Sequence, residues 1–238
     1  MALSADLVAR AHRVVPDTGP VDGYVRYTPD EWRTAVEELL ASAPAPDIWI
    51  FAYGSLLWRP VFVPAEMRPA VARGWHRRFG FTIRNHRGTM DRPGLMMGLD
   101  RGGQCRGVAL RMAPETVAAD LDALVRRELP FRPLNGVGAH AARWIAVETP
   151  AERITALAFV INRASDRYAG HLSMEETADI LATACGSGGS CAEYLHSTVS
   201  HLEALGIRDR NLWQLQAMVA RRLAEAADSD AADGTAHA

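Results

Sequence analysis

The chain has 238 residues, of which 48% are hydrophobic, and its 26 basic and 28 acidic residues leave a formal charge of −2. That near-neutral balance gives no global electrostatic case for nucleic acid or an anionic membrane as partner, and the apolar content excludes a disordered chain. Every base is arginine, and three cysteines (Cys105, Cys185 and Cys191) are too few and too odd a set for a disulfide framework, so a cytoplasmic protein without secretory leader or membrane span is expected.

In chain order, residues 1–46 read as a helical arm and linker. Thr28, Pro29 and Glu31 form a capping box with proline at the first helical position, and the prolines of "SAPAPD" stop the helix that follows. From Asp47 to Ile161 the pattern turns to short apolar and β-branched runs: "IWIFAY", "AVARGWHRRF", "FTIRN", "GLMMGLD", "QCRGVALRM", "RWIAVET" and "RITALAFVI". "DRGG" at Asp100–Gly103 reads as a hairpin connection, and "ITALAFV", apolar on both faces, as a central strand. Such a density of strands predicts a curled or closed sheet. Helices are predicted over "PETVAADLDALVRRE", over "SMEETADILATAC" (cap Ser173, Glu176), over "SCAEYLHSTVSHLEALG" (cap Ser190, Glu193), and over "DRNLWQLQAMVARRLAEAA". Residues 227–238 are expected to be a disordered tail, and 47–226 the main domain.

Two places carry chemistry. On the helix from Pro114, Val117, Leu121, Leu124 and Val125 form an apolar stripe, and Glu128 falls in its middle while Arg126 and Arg127 point elsewhere. A carboxylate there is desolvated and near the negative end of the helix dipole, and both effects raise its pKa toward proton-transfer use. If the helix frays by Arg127, Glu128 is instead an ordinary solvated residue. The second place is Tyr53-Gly54-Ser55, where a buried apolar run ends in a small polar notch. Successive amides and a hydroxyl there suit a carboxylate, or make a plain turn. Ser55 lacks the flanking glycines of a nucleophile elbow. "GSGGS" at Gly186–Ser190 reads as a helix–helix linker, and Arg84 and Arg87 as residues of a solvated loop or as partners for a substrate's distal carboxylate. The histidines show no metal-ligand spacing, so no metal is expected.

"WIFAYGSLLWRP", "RGWHRRF", "RGT", "PGLMMGLD", "CRGVALR", "LVRRE", "YAG" and "EYL" occur in the order shown by ChaC-type gamma-glutamylcyclotransferases, which the chain resembles over about Asp47 to Leu223. The resemblance implies an α+β fold, a small partly closed mixed β-barrel with flanking helices. It implies that residues 47–226 are the catalytic domain, that Ile50, Phe51, Ala52, Tyr53, Gly54 and Ser55 bind a gamma-glutamyl group, and that Glu128 is catalytic. The reaction implied is cleavage of glutathione, a small-molecule substrate, to 5-oxoproline and cysteinylglycine, with no cofactor required. The segment after Glu128 departs from many relatives, with "GAH" at Gly138–His140 where "GAY" is expected. The same chemistry on other gamma-glutamyl peptides or amines, and a non-catalytic gamma-glutamyl-binding regulatory module, are the alternatives.

Overall fold

The structure, a computed structural model, describes residues 1–235. Its residues group into two compact units: Met1–Gly19, Phe79–Met96 and the chain from Ala169 make one, and Pro20–Arg78 with Met97–Tyr168 the other. The arm at 1–46 is therefore divided between them.

The second unit holds most of a closed five-stranded barrel in the order β2–β4–β3–β6–β7, from β2 (Trp49–Ala52), β3 (Glu66–Ile83), β4 (Gly94–Arg111), β6 (His140–Glu148) and β7 (Arg153–Ile161). Pairing is mixed: β2 and β4 each lie parallel to β7, whereas β2–β4, β3–β6 and β6–β7 are antiparallel. β7 thus has neighbours on both sides, as its doubly apolar sequence predicts. Trp49, Phe51, Ala70, Ala72, Leu99, Cys105, Ala109, Ile145, Val147, Ala156, Ala158 and Val160, drawn from all five strands, pack together as the barrel interior. Five alanines among them suit the narrow bore of so few strands.

The expected hairpin at Asp100–Gly103 is not there; β4 is one continuous strand. Gly102 (φ 104°) and Gly103 (φ 66°) bend it in place, and Gly74 (φ 79°) lies on β3, whose His76 Nδ1 is 3.1 Å from the Gly102 carbonyl oxygen. Left-handed glycines here make a kink rather than a turn. The two runs "AVARGWHRRF" and "FTIRN" likewise merge into β3. Asp100 is buried, bound by Arg163 Nε (2.6 Å) and Tyr168 Oη (3.2 Å).

Outside the barrel, α2 (Pro29–Ala41) and α3 (Val117–Glu128) cover the face that carries Ile50, Ala52, Val108, Leu110, Leu157 and Phe159. α2 begins on the predicted capping box: Thr28 Oγ1 accepts from the Glu31 amide, and the Glu31 carboxylate from the Thr28 amide. α3 starts at Val117, three residues later than the predicted Pro114. Two short strands, β1 (Tyr24–Arg26) and β5 (Phe131–Pro133), pair antiparallel.

In the first unit, α1 (Ala5–Arg10), α4 (Met174–Thr183), α5 (Cys191–Ala204) and α6 (Arg210–Thr235) bury Leu3, Leu181, Leu195 and Val219. Ser173–Glu176 is a reciprocal capping box. Ser190 caps α5, but the Glu193 carboxylate pairs with Arg87 (2.5 Å) instead of closing a box. Arg87 is buried, so the solvated-loop reading of it is corrected: its Nη1 also donates to the Ser190 carbonyl at 2.9 Å. "GSGGS" holds the two-residue strands β8 (Cys185–Gly186) and β9 (Gly189–Ser190), and the Ser187 amide donates to the Asn85 carbonyl at 3.0 Å. α6 runs on through 227–235, where a tail was expected. Residues 236–238 of that tail lie outside the described residues.

Candidate active site

Strand β2 is wholly buried, and Ile50, Phe51 and Ala52 lead directly into the loop that follows. Gly107 of β4 makes this possible, because a Cβ there would stand 2.9 Å from the Phe51 ring and closer still to the Ala52 carbonyl. Tyr53 then leaves the strand. Its hydroxyl donates to the Phe159 carbonyl at 2.5 Å, and its own carbonyl accepts from Arg77 Nη1 at 2.6 Å. Arg77, nearly buried, also donates to the Arg106 carbonyl, so one guanidinium ties β4 to the loop. Gly54 has negative φ (−144°), and Ser55–Leu57 form a single 3-10 turn.

Glu128 closes α3. Leu121, Leu124 and Val125 are fully buried, as the stripe predicts, and the Glu128 side chain is one-fifth exposed rather than solvated. Burial raises its carboxyl above the usual range; the Arg127 guanidinium, with Nε 3.4 Å from Oε1, draws it back down.

The placing of Arg127 corrects the helical-wheel expectation. Its Nη2 donates to Ser55 Oγ at 2.8 Å and its Nη1 to the Arg59 carbonyl. A wheel gives the direction of Cβ, not the reach of a long side chain over the helix end. Arg127 thereby joins the two sites that the sequence picked out separately. Its guanidinium cannot accept a proton, so this contact does nothing to activate Ser55 as a nucleophile.

His140 is the first residue of β6. Its ring donates a hydrogen bond to the Glu128 carbonyl and lies edge-on to Phe159, with centroids 5.8 Å apart. Burial pushes its pKa down to about 4, so the imidazole is neutral at physiological pH. Sequence reasoning marked His140 only as a departure and missed Arg77 and Arg127; "HRRF" and "RRE" showed arginines without showing which carbonyls they reach. No group of three or more His, Cys, Asp or Glu side chains able to hold a metal occurs among the described residues.

The first strand of a narrow mixed barrel thus ends in a polar loop that Arg127 joins to a partly buried helical acid. The family described as ChaC-like protein matches residues 48–222, and the chain belongs to that family. It is 30% identical over 209 residues to an Escherichia coli protein named glutathione-specific gamma-glutamylcyclotransferase, a match spanning 87% of this chain and 88% of that one. It is 33% identical over 161 residues to a mouse glutathione-specific gamma-glutamylcyclotransferase 1, covering 67% and 71% of the two chains. Its fold is that of a yeast gamma-glutamyl cyclotransferase structure described as specific to glutathione, with a TM-score of 0.66, 21% identity, and coverage of 74% of this chain and 96% of that one.

Proposed function

We propose that this protein is a gamma-glutamylcyclotransferase, a lyase that cleaves glutathione to 5-oxoproline and cysteinylglycine, with Glu128 as proton shuttle. The single observation that carries the mechanism is the join between Glu128, its pKa raised by burial, and the Ser55 loop through Arg127. A gamma-glutamyl amide contains both reactants, its α-amino group and its γ-carbonyl. What the protein must add is a seat for the α-carboxylate and one group that moves a proton.

Ser55 and the Arg127 guanidinium face that task together. A carboxylate at the loop would meet a hydroxyl and a fixed cation, whose planar fork suits it. Ionised Glu128 takes a proton from the α-ammonium. The freed amine attacks the γ-carbonyl, closing a five-membered lactam. As the tetrahedral intermediate collapses, the γ-carbon–nitrogen amide bond breaks, Glu128 returns the proton to the leaving amine, and the second proton shed by the attacking nitrogen as it becomes the lactam N–H leaves with that amine as its ammonium. Nothing is oxidised, and no water is consumed. Tyr53, fixed at both ends by Phe159 and Arg77, holds the loop while this happens.

A regulatory module that only binds gamma-glutamyl groups would gain nothing from a carboxyl held above its ordinary range. The altered segment 129–140 favours a second reading, the same reaction on other gamma-glutamyl peptides. No helix among the described residues is long and apolar enough to cross a membrane, and the three cysteines are free and buried; a cytoplasmic location fits both.

The test is incubation of purified protein with glutathione and with gamma-glutamyl-alanine, following 5-oxoproline by chromatography. Release from glutathione is expected. Release from gamma-glutamyl-alanine alone would move the assignment to the second reading, and release from neither would remove it.

A further inference from the structure

We infer that Trp32 and His140 are positioning residues, two ring N–H donors on separate elements that clasp the consecutive carbonyls of Glu128 and Leu129 and so fix where the acid leaves its helix. The inference rests on Glu128 being the proton shuttle.

The last carbonyls of any α-helix lack partners within it. Many helices solve this with a glycine in the left-handed conformation just past the end. α3 has none: Leu129 follows Glu128 directly, with φ −125° and ψ 60°, and only its amide turns back, to the Val125 carbonyl at 2.7 Å. Side chains from elsewhere take the carbonyls instead. The His140 ring takes that of Glu128, and Trp32 Nε1 donates to that of Leu129 at 3.2 Å.

Each donor is itself held. Trp32 lies under the Arg126 guanidinium, 4.4 Å from the ring centroid, and stacks on Tyr27 at 6.1 Å and 23°. His140 is wedged against Phe159, its Nε2 sealed from solvent. Beyond the clasp, Glu31 pairs with Arg132 at 2.8 Å, and β1 zips to β5 through Tyr24–Pro133, Val25–Arg132 and Arg26–Phe131. Trp32, Glu31 and β1 all precede residue 48, where the family match begins.

The experiment compares Trp32→Phe, which keeps the ring and loses the donor, with His140→Phe and His140→Gln in the full chain. Folding is checked by circular dichroism. Phe at either position is expected to lower kcat on glutathione about tenfold to a hundredfold, the cost of a misplaced group, with KM within about twofold. Gln at 140 keeps an N–H and is expected to recover most of the loss. Folded Phe variants with unchanged kcat, or with a raised KM alone, would overturn the inference. If wild-type protein releases 5-oxoproline from no gamma-glutamyl compound, the proposed function fails. The clasp is then read by carbon-13 titration of the Glu128 carboxyl, where a shifted midpoint in both Phe variants supports it and an unmoved midpoint sinks it.

Discussion

Glu128 sits between two influences of opposite sign. Burial favours its protonated form, and Arg127 beside it favours the carboxylate. If it begins each turnover as a base, the acid limb of kcat/KM follows its ionisation. Replacing Arg127 with Gln removes the charge that holds the pKa down, so that limb is expected to move to higher pH, read from a rate profile. Glu128→Gln removes the shuttle itself and is expected to lower kcat by about two to four orders of magnitude in a folded protein. Ser55→Ala leaves the acid in place and takes away one arm of the carboxylate seat. A rise in KM with kcat nearly kept is expected, whereas abolished turnover with substrate binding intact would mean that Ser55 does chemistry.

The elements show which kinds of information a sequence displays. Helix starts were legible because a cap is local: Thr28 with Glu31 and Ser173 with Glu176 lie three residues apart and form as expected. The third was half right, since Ser190 caps α5 while Glu193 turns to Arg87, a partner 106 positions away. Glu128 was legible because the buried stripe Leu121, Leu124 and Val125 is periodic. Arg127 was not, because Ser55 lies 72 positions from it. The glycines carried the subtlest signal. "DRGG" has the composition of a turn, yet Asp100 is drawn inward by Arg163 and Tyr168, and the strand bends through the glycines without reversing. Gly107 shows the same point at the site. Gly107→Ala puts a Cβ against the Phe51 ring and the Ala52 carbonyl, both parts of β2. Overpacking of this kind costs about 1–3 kcal/mol. The expected outcome is a lowered Tm together with a raised KM, because Ala52 leads into the Tyr53–Ser55 loop.

For the molecule as a whole, the site imposes a characteristic dependence of stability on pH. His140 has its pKa depressed from 6.5 to about 4. Between those values the unfolded chain binds a proton that the folded chain refuses, so stability is full above about pH 6.5 and is lost as pH falls toward 4, by up to about 3 kcal/mol. Glu128 works in the opposite direction. Its folded pKa is raised, so its contribution is fully present below about 4.5 and is lost as pH rises through the folded value. The wild-type profile therefore mixes two opposed slopes, and single variants separate them. His140→Gln is expected to flatten the loss between pH 6.5 and 4 in thermal melts, and Glu128→Gln to gain stability relative to wild type as pH rises from 4.5. The His140 ring is bonded to the backbone of Glu128 itself, so their effects are expected not to add in the double variant. Strict additivity would mean that imidazole and acid, though adjacent, respond to protons independently, and the neutral histidine would then be a matter of packing alone.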